Sequence, residues 1–376
     1  MYFSKYNIFS RIKDSDNYFL INILSGNADI VSAQKAEEIK QGIFTDREEF
    51  IEKGYLTDEQ EEKKLYVEEY LNFTERREKD EVQLFFVPWY VCNFNCTYCY
   101  QSGYENEFVE LSISIIDAFF KYIEKEFSGR HKYVTIFGGE PLLNGTKYEN
   151  LIRYFLHKAA EAGLDTAIVT NGYYLEEYIE IFKEHKIREI QVTLDGVGIT
   201  HDSRRPLKGG KATFEKIVSG IDAALTNNLN INLRAVIDKE NISGLADLAR
   251  WAIAKGWTKH QNFKTQLGRN YELHYCQSGR NKLFSRVEFY ESLFNLIGEN
   301  PEIMEFHRPA FSISKFLFDN GELPQPLFDA CTGCKTEWAF DYTGQVYSCT
   351  ATVGKPGAAL GTFFPEITRK DDIIKG

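Results

Sequence analysis

The feature that most constrains this sequence is a regular alternation of short apolar runs and longer amphipathic stretches that begins at Val82. Strands that alternate with helices of this length favour parallel βαβ units with right-handed crossovers. Six units therefore predict an α/β fold with a curved parallel sheet or an open barrel. The predicted strands are Val82–Val87, Tyr133–Phe137, Thr166–Val169, Glu189–Leu194, Asn230–Ile237 and Asn262–Leu267. The predicted helices are Leu111–Phe127, Tyr148–Ala162, Leu175–His185, Thr213–Asn227, Ile242–Lys255 and Val287–Ile297.

Motif-like segments follow four of the predicted strands directly. They are Cys92–Cys99, Gly138–Pro141, Thr170–Gly172 and Asp195–Gly196. In parallel α/β folds, ligands bind at the carboxyl ends of the strands, where loops vary freely. The strand pattern and the motif positions therefore predict the same functional edge.

The first segment carries three cysteines, Cys92, Cys96 and Cys99, in the spacing C-x3-C-x2-C. Three thiolates bind three irons of one cubane and leave the fourth iron open to chelate a substrate. A zinc site and three buried free cysteines are the alternatives, but zinc sites usually pair C-x2-C units. All seven cysteines are unevenly distributed along a long chain, which favours metal binding over disulfides.

With Tyr98 as its aromatic residue, this motif resembles that of the radical S-adenosylmethionine (SAM) superfamily. The resemblance covers about residues 82 to 300 and implies a partial (β/α)6 barrel, a [4Fe–4S] cluster and bound SAM. It also implies that Tyr98 packs near the adenine. Gly138, Gly139, Glu140 and Pro141 resemble the family's GGEP motif, which receives the amino group of SAM. A turn without a ligand is the alternative reading of these four residues.

A third stretch resembles the peptide-modifying branch of the superfamily. Residues 191–196 (QVTLDG) and 201–205 (HDSRR) match its SLDG and HDxxR patterns, with Thr193 in place of the usual serine. The resemblance makes Thr193 and Asp195 candidates for the ribose or carboxylate of SAM. Further candidates for the same pocket are Thr170, Asn171 and Arg234, the last as a partner of the SAM carboxylate. A turn at Asn171 and a surface role for Arg234 are the structural alternatives.

A second cysteine group, Cys331, Cys334 and Cys349, has the spacing C-x2-C-x14-C. With Gly344 it resembles the first half of a SPASM extension, which implies an auxiliary [4Fe–4S] cluster. The cysteine-rich second half is missing, so the pattern predicts either a Twitch-like lobe with one auxiliary cluster or a truncated chain with a second one. A zinc site or a disulfide is the alternative. The fourth ligand stays open among Cys276, another group and the substrate.

Cys276 follows the last predicted strand, so it is a candidate catalytic residue that donates a hydrogen atom to a substrate radical, as in radical SAM epimerases. The alternative is an inert thiol, because free cysteine is among the most buried residue types.

The first 80 residues follow a different pattern. A hairpin is predicted from Tyr18–Ile23 and Asp29–Val31, a capping box from Thr57 to Gln60, and a linker over the charge run Glu75–Glu81. The order of these elements resembles a winged-helix element that binds leader peptides, although an N-terminal decoration of the barrel fits equally well. We expect domains at 1–80, 81–310 and 311–376, the last a small lobe of hairpins.

These patterns predict a cytoplasmic radical SAM enzyme that crosslinks, epimerises or oxidises a peptide or protein and is reduced by flavodoxin or ferredoxin. A small-molecule dehydrogenase or cofactor-biosynthesis enzyme is one alternative, and a non-catalytic Fe–S electron-transfer protein is another. The net charge of −11 disfavours a nucleic-acid partner. No long apolar run predicts a membrane partner.

Overall fold

The computed structural model describes residues 1–101, 110–270, 282–309 and 313–369. Two compact units are present. The first comprises Met1–Lys79 and Ala310–Cys331, and the second comprises Asp80–Pro309 and Thr332–Gly376. Within the described ranges, no helix combines the length and the apolar character needed to cross a membrane.

The first unit is built on a three-stranded antiparallel sheet with the order β2-β3-β4. In chain order its elements are β1 Tyr2–Phe3, β2 Asn7–Arg11, β3 Tyr18–Asn22, β4 Asn27–Val31, α1 Ala33–Lys40, α2 Arg47–Glu52, β5 Leu56–Thr57 and α3 Glu59–Lys79. A later helix, Ile313–Asn320, belongs to the same unit. The hairpin predicted at Tyr18–Val31 is confirmed as β3 and β4. The hydrophobic core of the first unit contains Leu20, Ile39, Phe50, Tyr55 and Leu56.

Two predictions about α3 are wrong. Asp58, not Thr57, caps the helix, because the Asp58 carboxylate accepts hydrogen bonds from the backbone amides of Gln60 and Glu61. The charge run at Glu75–Glu81 is not a linker, since the helix continues to Lys79. An ion pair between Lys79 and Glu75, one turn apart, favours the helical conformation there.

The second unit confirms all six predicted strands, each to within two residues at both ends. Its first part contains β6 Val82–Val87, α4 Ile113–Glu126, β7 Lys132–Ile136, α5 Thr146–Glu161, β8 Thr166–Thr170, α6 Leu175–Lys183, β9 Ile187–Thr193, α7 Ile199–Arg204, α8 Phe214–Thr226, β10 Ile231–Ile237, α9 Leu245–Ala254, β11 Phe263–Arg269, α10 Arg286–Glu299 and α11 Ile303–Phe306. The strands β6 to β11 pair in parallel, each with its neighbour in the chain. The result is an α/β fold with a mostly parallel sheet.

The C-terminal strands extend this sheet instead of forming the separate lobe of hairpins that we expected. They are β12 Glu337–Asp341, β13 Gln345–Tyr347, β14 Gly361–Thr362 and β15 Thr368–Arg369. The predicted hairpin around Thr343 and Gly344 is confirmed as β12 and β13. However, β12 also pairs in parallel with β6, so ten strands form one sheet in the order β11-β10-β9-β8-β7-β6-β12-β13-β14-β15.

Aromatic packing on one face of the sheet holds β6 and β12 together. Phe119 of α4 contacts Phe86 of β6, Phe340 of β12 and Phe155 of α5, with ring centroids 4.8 to 5.8 Å apart. All four side chains are fully buried. Such packing fixes the start of the loop that follows β6, where the first cysteine motif lies.

Candidate functional site

A cavity of about 220 Å³ opens at the carboxyl ends of the parallel strands, as the strand pattern predicts. The candidate residues that line it are Cys92, Cys96, Tyr98, Cys99, Gly138, Gly139, Glu140, Thr170, Asn171, Thr193 and Arg234. Pro141 and Asp195 do not line it. A larger cavity of about 490 Å³ lies between α4 and α5, but lysines, carboxylates and apolar groups line it without any cysteine.

The cysteine loop, residues 92–99, is held by backbone hydrogen bonds to the segment after α7. The amides of Asn95 and Thr97 donate to the carbonyls of Pro206 and Arg204, at 2.9 and 3.0 Å. In the other direction, the amide of Lys208 donates to the carbonyl of Asn93 at 2.8 Å. These three hydrogen bonds present Cys92, Cys96 and Cys99, all half-buried, to one cavity.

The chemistry of the three thiols, which line one cavity, fits a cubane cluster, because each thiolate of a cubane binds a different iron. Burial raises the pKa of Cys92 to about 12 and also raises the pKa of Cys96. Deprotonated thiols at this site therefore require a cationic partner such as iron.

Both glycines of the GGEP segment are required by close backbone packing. A side chain at Gly139 would clash with the carbonyl oxygens of Tyr90 and Val91, and one at Gly138 would lie 2.7 Å from Val87. The amides of Gly139 and Glu140 donate to the carbonyls of Trp89 and Val91. The close neighbour of both glycines is thus the segment that leads into the cysteine loop.

Glu140 joins two strand-end loops. Its carboxylate is almost fully buried and accepts hydrogen bonds from the hydroxyl of Thr170 and from the amides of Asn171 and Leu142. Burial raises the pKa of Glu140 to about 7, although these three donors oppose the shift. The side chain of Asn171 in turn donates to Asn93 in the cysteine loop, at 2.8 Å. The loops after β6, β7 and β8 are thereby joined.

Asp195 lies behind the cavity, in contrast to its predicted role as a SAM contact. It is 1% exposed, and its carboxylate accepts hydrogen bonds from the Tyr98 hydroxyl at 2.6 Å and from the Val236 amide at 2.9 Å. Arg204 pairs with the same carboxylate. Because protein groups occupy both oxygens, Asp195 holds the position of Tyr98 and does not face the cavity.

Sequence reasoning missed several cavity residues, above all Arg205. The signal was present in the run HDSRR, which was matched as a pattern without a role for each arginine. Three others lie where the strand-end rule places ligands: Phe137 follows β7, while Arg269 and Asn270 end or follow β11. Asp202 of the same run has a structural role, since its carboxylate caps α8 by accepting hydrogen bonds from the amides of Thr213 and Phe214.

Cys334 and Cys349 of the second cysteine group belong to the second unit, whereas Cys331 belongs to the first. The amide of Cys334 donates to the carbonyl of Ser348 at 3.0 Å, so β12 and β13 bring Cys334 beside the residue that precedes Cys349. Cys334 has a positive φ of 61°. Cys331 is exposed and is the last residue of the other unit. Cys276 lies outside the described residues.

Comparison with sequence families gives a match at the same site. The model of the radical SAM superfamily matches residues 86–252, which include the first cysteine motif. Over 173 residues the chain is 30% identical to the GTP 3',8-cyclase of Nautilia profundicola, covering 44% of this chain and 51% of that one. Over 154 residues it is 27% identical to the serine-type anaerobic sulfatase-maturating enzyme of Klebsiella aerogenes, covering 40% and 38%. The chain thus spans about half or less of these two relatives.

Solved structures share the fold over a larger part of the chain. The enzyme anSMEcpe with bound AdoMet and Cp18Cys peptide has a TM-score of 0.60 at 18% identity, covering 79% of this chain and 81% of that one. Streptococcus suis SuiB bound to its precursor peptide SuiA has a TM-score of 0.56 at 14% identity, covering 100% and 88%. Identities this low establish similarity of fold alone.

Proposed function

Since the chain carries a radical SAM domain and is an enzyme of that superfamily, we propose that it modifies a peptide or protein substrate after translation. The cofactor pair of a [4Fe–4S] cluster and SAM would supply the chemistry, reductive cleavage of SAM to a 5'-deoxyadenosyl radical that abstracts a hydrogen atom. A flavodoxin or ferredoxin is the proposed electron donor. The proposed product carries a crosslink, an inverted stereocentre or an oxidised side chain.

We assign the roles of the cavity residues from their positions. Cys92, Cys96 and Cys99 hold the cluster, and Thr193 and Arg234 face the cavity as contacts for SAM. The Nε atom of Arg234 is buried without a described hydrogen-bond partner, so this guanidinium has donor capacity for a carboxylate. Glu140 orders the loops around SAM and retains acceptor capacity for its amino group.

The observation that carries the peptide assignment is the fold match to SuiB in complex with SuiA, which extends over the whole chain and therefore includes the first unit. In that unit, β2 and β4 each have one described strand neighbour, β3. Ile8 of β2 and Ile30 of β4 are 39% and 66% exposed. We assign this winged-helix-like sheet to a leader peptide, which would add a strand at one of these edges.

We also assign Cys331, Cys334 and Cys349 to an auxiliary [4Fe–4S] cluster in a Twitch-like segment. The close approach of Cys334 to Ser348 supports the assignment, because it places two of the three thiols on adjacent ends of one hairpin. Cys276 remains a proposed hydrogen-atom donor.

A second candidate function is radical chemistry on a small molecule. The identity to GTP 3',8-cyclases favours it, at 30% over 173 residues for the Nautilia protein. That alignment covers only 44% of this chain, whereas the fold match to SuiB covers 100%. A small-molecule enzyme would need no leader-binding sheet.

The test uses full-length protein reconstituted anaerobically with iron and sulfide, then supplied with SAM, reductant and the short peptide encoded beside its gene. We expect 5'-deoxyadenosine formation to rise with the peptide and the peptide mass to change. A variant with Cys92, Cys96 and Cys99 replaced by Ala is the control and should produce neither. An unchanged peptide mass, together with 5'-deoxyadenosine that rises with GTP, would support the second candidate instead.

A further inference from the structure

Arg204 and Arg205 are consecutive, buried and electrostatically different. The guanidinium of Arg204 pairs with two carboxylates, Asp195 and Asp238, at 3.4 and 2.9 Å. Arg205 is 9% exposed, and its Nη1 donates to the hydroxyl of Tyr98 at 2.6 Å. Within the part of the chain that the structure describes, no carboxylate lies within ion-pair distance of Arg205, and its Nε atom has no hydrogen-bond partner.

A buried guanidinium whose hydrogen-bond acceptor is a neutral hydroxyl is unfavourable unless an anion compensates its charge. The hydroxyl of Tyr98 in turn donates to the carboxylate of Asp195 at 2.6 Å. Arg204 contacts Asp195 and Asp238 directly, whereas Arg205 reaches Asp195 only through the hydroxyl of Tyr98. An anion held in the cavity that Arg205 lines would therefore be its direct partner.

The cysteine loop is the anionic neighbour that the fold places there. Two backbone hydrogen bonds join Arg204 and Pro206, the neighbours of Arg205, to Thr97 and Asn95 of that loop. Arg205 lines the same cavity as Cys92, Cys96 and Cys99. A cubane with three thiolates carries a net negative charge, and one-electron reduction increases that charge.

We propose that Arg205 is the counter-charge of the cluster held by Cys92, Cys96 and Cys99, and that it raises the reduction potential of this cluster. The proposal rests on the cluster assignment made under the proposed function. Net charge and hydrogen bonding around a cluster set its potential, so a fixed cation favours the reduced form. Arg205 is thus a positioning residue that acts through the cluster, with Tyr98 holding it in place.

The test is a redox titration of the reconstituted full chain without SAM, followed by electron paramagnetic resonance. We expect a more negative midpoint potential in Arg205→Gln and a value closer to wild type in Arg205→Lys, which keeps the charge. The control is Arg188→Gln, because Arg188 is half-exposed, pairs with Glu81 and begins β9 away from the cavity. Its potential should equal that of wild type.

Equal potentials in wild type and Arg205→Gln would overturn the proposal while leaving the cluster assignment intact. Loss of the cluster in Arg205→Gln but not in Arg205→Lys would support it, since only the charge separates these outcomes. Loss in both variants, with circular dichroism unchanged, would show a role of shape and overturn it. If the wild-type protein binds no iron, both the proposed function and this inference are wrong.

Discussion

The buried carboxyl group of Glu140 gives this protein a specific pH dependence. Its pKa rises from 4.5 in the unfolded chain to about 7 in the folded protein. Between these values the folded state binds a proton that the unfolded state has released. The stabilising contribution is therefore fully present below the lower value and is lost as the pH rises, with a maximum loss of about 3 kcal/mol.

We predict that the free energy of unfolding of the cluster-free protein falls more steeply over this window in wild type than in Glu140→Gln. Gln cannot ionise, so it removes this titration and keeps the size of the side chain. Urea unfolding at pH values spanning about 5 to 8 measures the difference. Parallel pH profiles of the two proteins would show that Glu140 does not titrate in this range.

Gly139 is the second residue with a sharp prediction. An added methyl group would meet the carbonyl oxygens of Tyr90 and Val91, which are backbone atoms that cannot rotate away. We expect Gly139→Ala to destabilise the cluster-free protein by about 1–3 kcal/mol in urea unfolding. Gly298→Ala is the control, because nothing lies near its added methyl group in α10, and it should be neutral or stabilising. Equal effects of both changes would contradict the packing argument.

Motifs predicted many of the residues that line the cavity, but they did not predict which side chains contact each other. Tyr98 and Asp195 belong to one matched pattern each, yet they bind each other and the Asp195 carboxylate turns away from the cavity. Sequence spacing carries no information about such a pair, since the two residues are 97 positions apart. For the same reason Arg204 and Arg205 look equivalent in sequence and differ in the folded protein.

At the scale of elements, local patterns predicted the six parallel strands because each strand and helix is defined by its own periodicity. The pairing of β12 with β6 could not be predicted, since it joins segments about 250 residues apart and depends on which sheet edge is free. The cap at Asp58 was missed because Thr57 satisfies the same motif, and strand β5 takes Thr57 instead.

Asp341 joins the C-terminal hairpin to the cysteine loop. Its carboxylate accepts hydrogen bonds from the hydroxyl of half-buried Tyr90, two residues before Cys92, and from that of buried Tyr347, two residues before Cys349. It also accepts from the amides of Thr343 and Gln345 in the turn. One carboxylate therefore holds Tyr90, close to Cys92, and Tyr347, close to Cys349, in place.

We predict that Asp341→Ala lowers the free energy of unfolding by on the order of 3 kcal/mol, because the hydroxyls of Tyr90 and Tyr347 and two turn amides lose this carboxylate as an acceptor. Asp341→Asn should lose less, since the amide oxygen still accepts. For comparison, Asp16→Ala removes an exposed ion pair with Arg11 and should change stability by less than about 0.5 kcal/mol. Urea unfolding of the three variants decides this, and a loss in Asp341→Ala no larger than in Asp16→Ala would contradict the bridging role.

At the scale of the whole molecule, two cysteine groups predict two separate metal centres. We expect the variant with Cys92, Cys96 and Cys99 replaced by Ala to retain about four irons per chain after reconstitution, because the auxiliary cubane forms independently. Replacing Cys331, Cys334 and Cys349 instead should leave the same iron content at the other centre. Iron analysis that finds zinc or no metal in the first variant would remove the auxiliary cluster.

In the first unit, sequence patterns predict local elements but not which distant segment of the chain joins them. Its hairpin was predictable from local patterns, but the helix Ile313–Asn320 joins the unit from the far end of the chain. Phe328, which follows that helix in the sequence, packs against Tyr66, Tyr70 and Phe73 of α3. Deleting residues 1–80 would also expose this segment, so peptide binding has to be measured with the full-length protein.

The central claim is that Cys92, Cys96 and Cys99 hold a [4Fe–4S] cluster with one iron open to SAM. The most direct measurement is electron paramagnetic resonance of the reduced cluster, in the variant that lacks Cys331, Cys334 and Cys349, with and without saturating SAM. We predict that SAM changes the spectrum, because its amino and carboxylate groups would bind the open iron. An identical spectrum with and without SAM would contradict it.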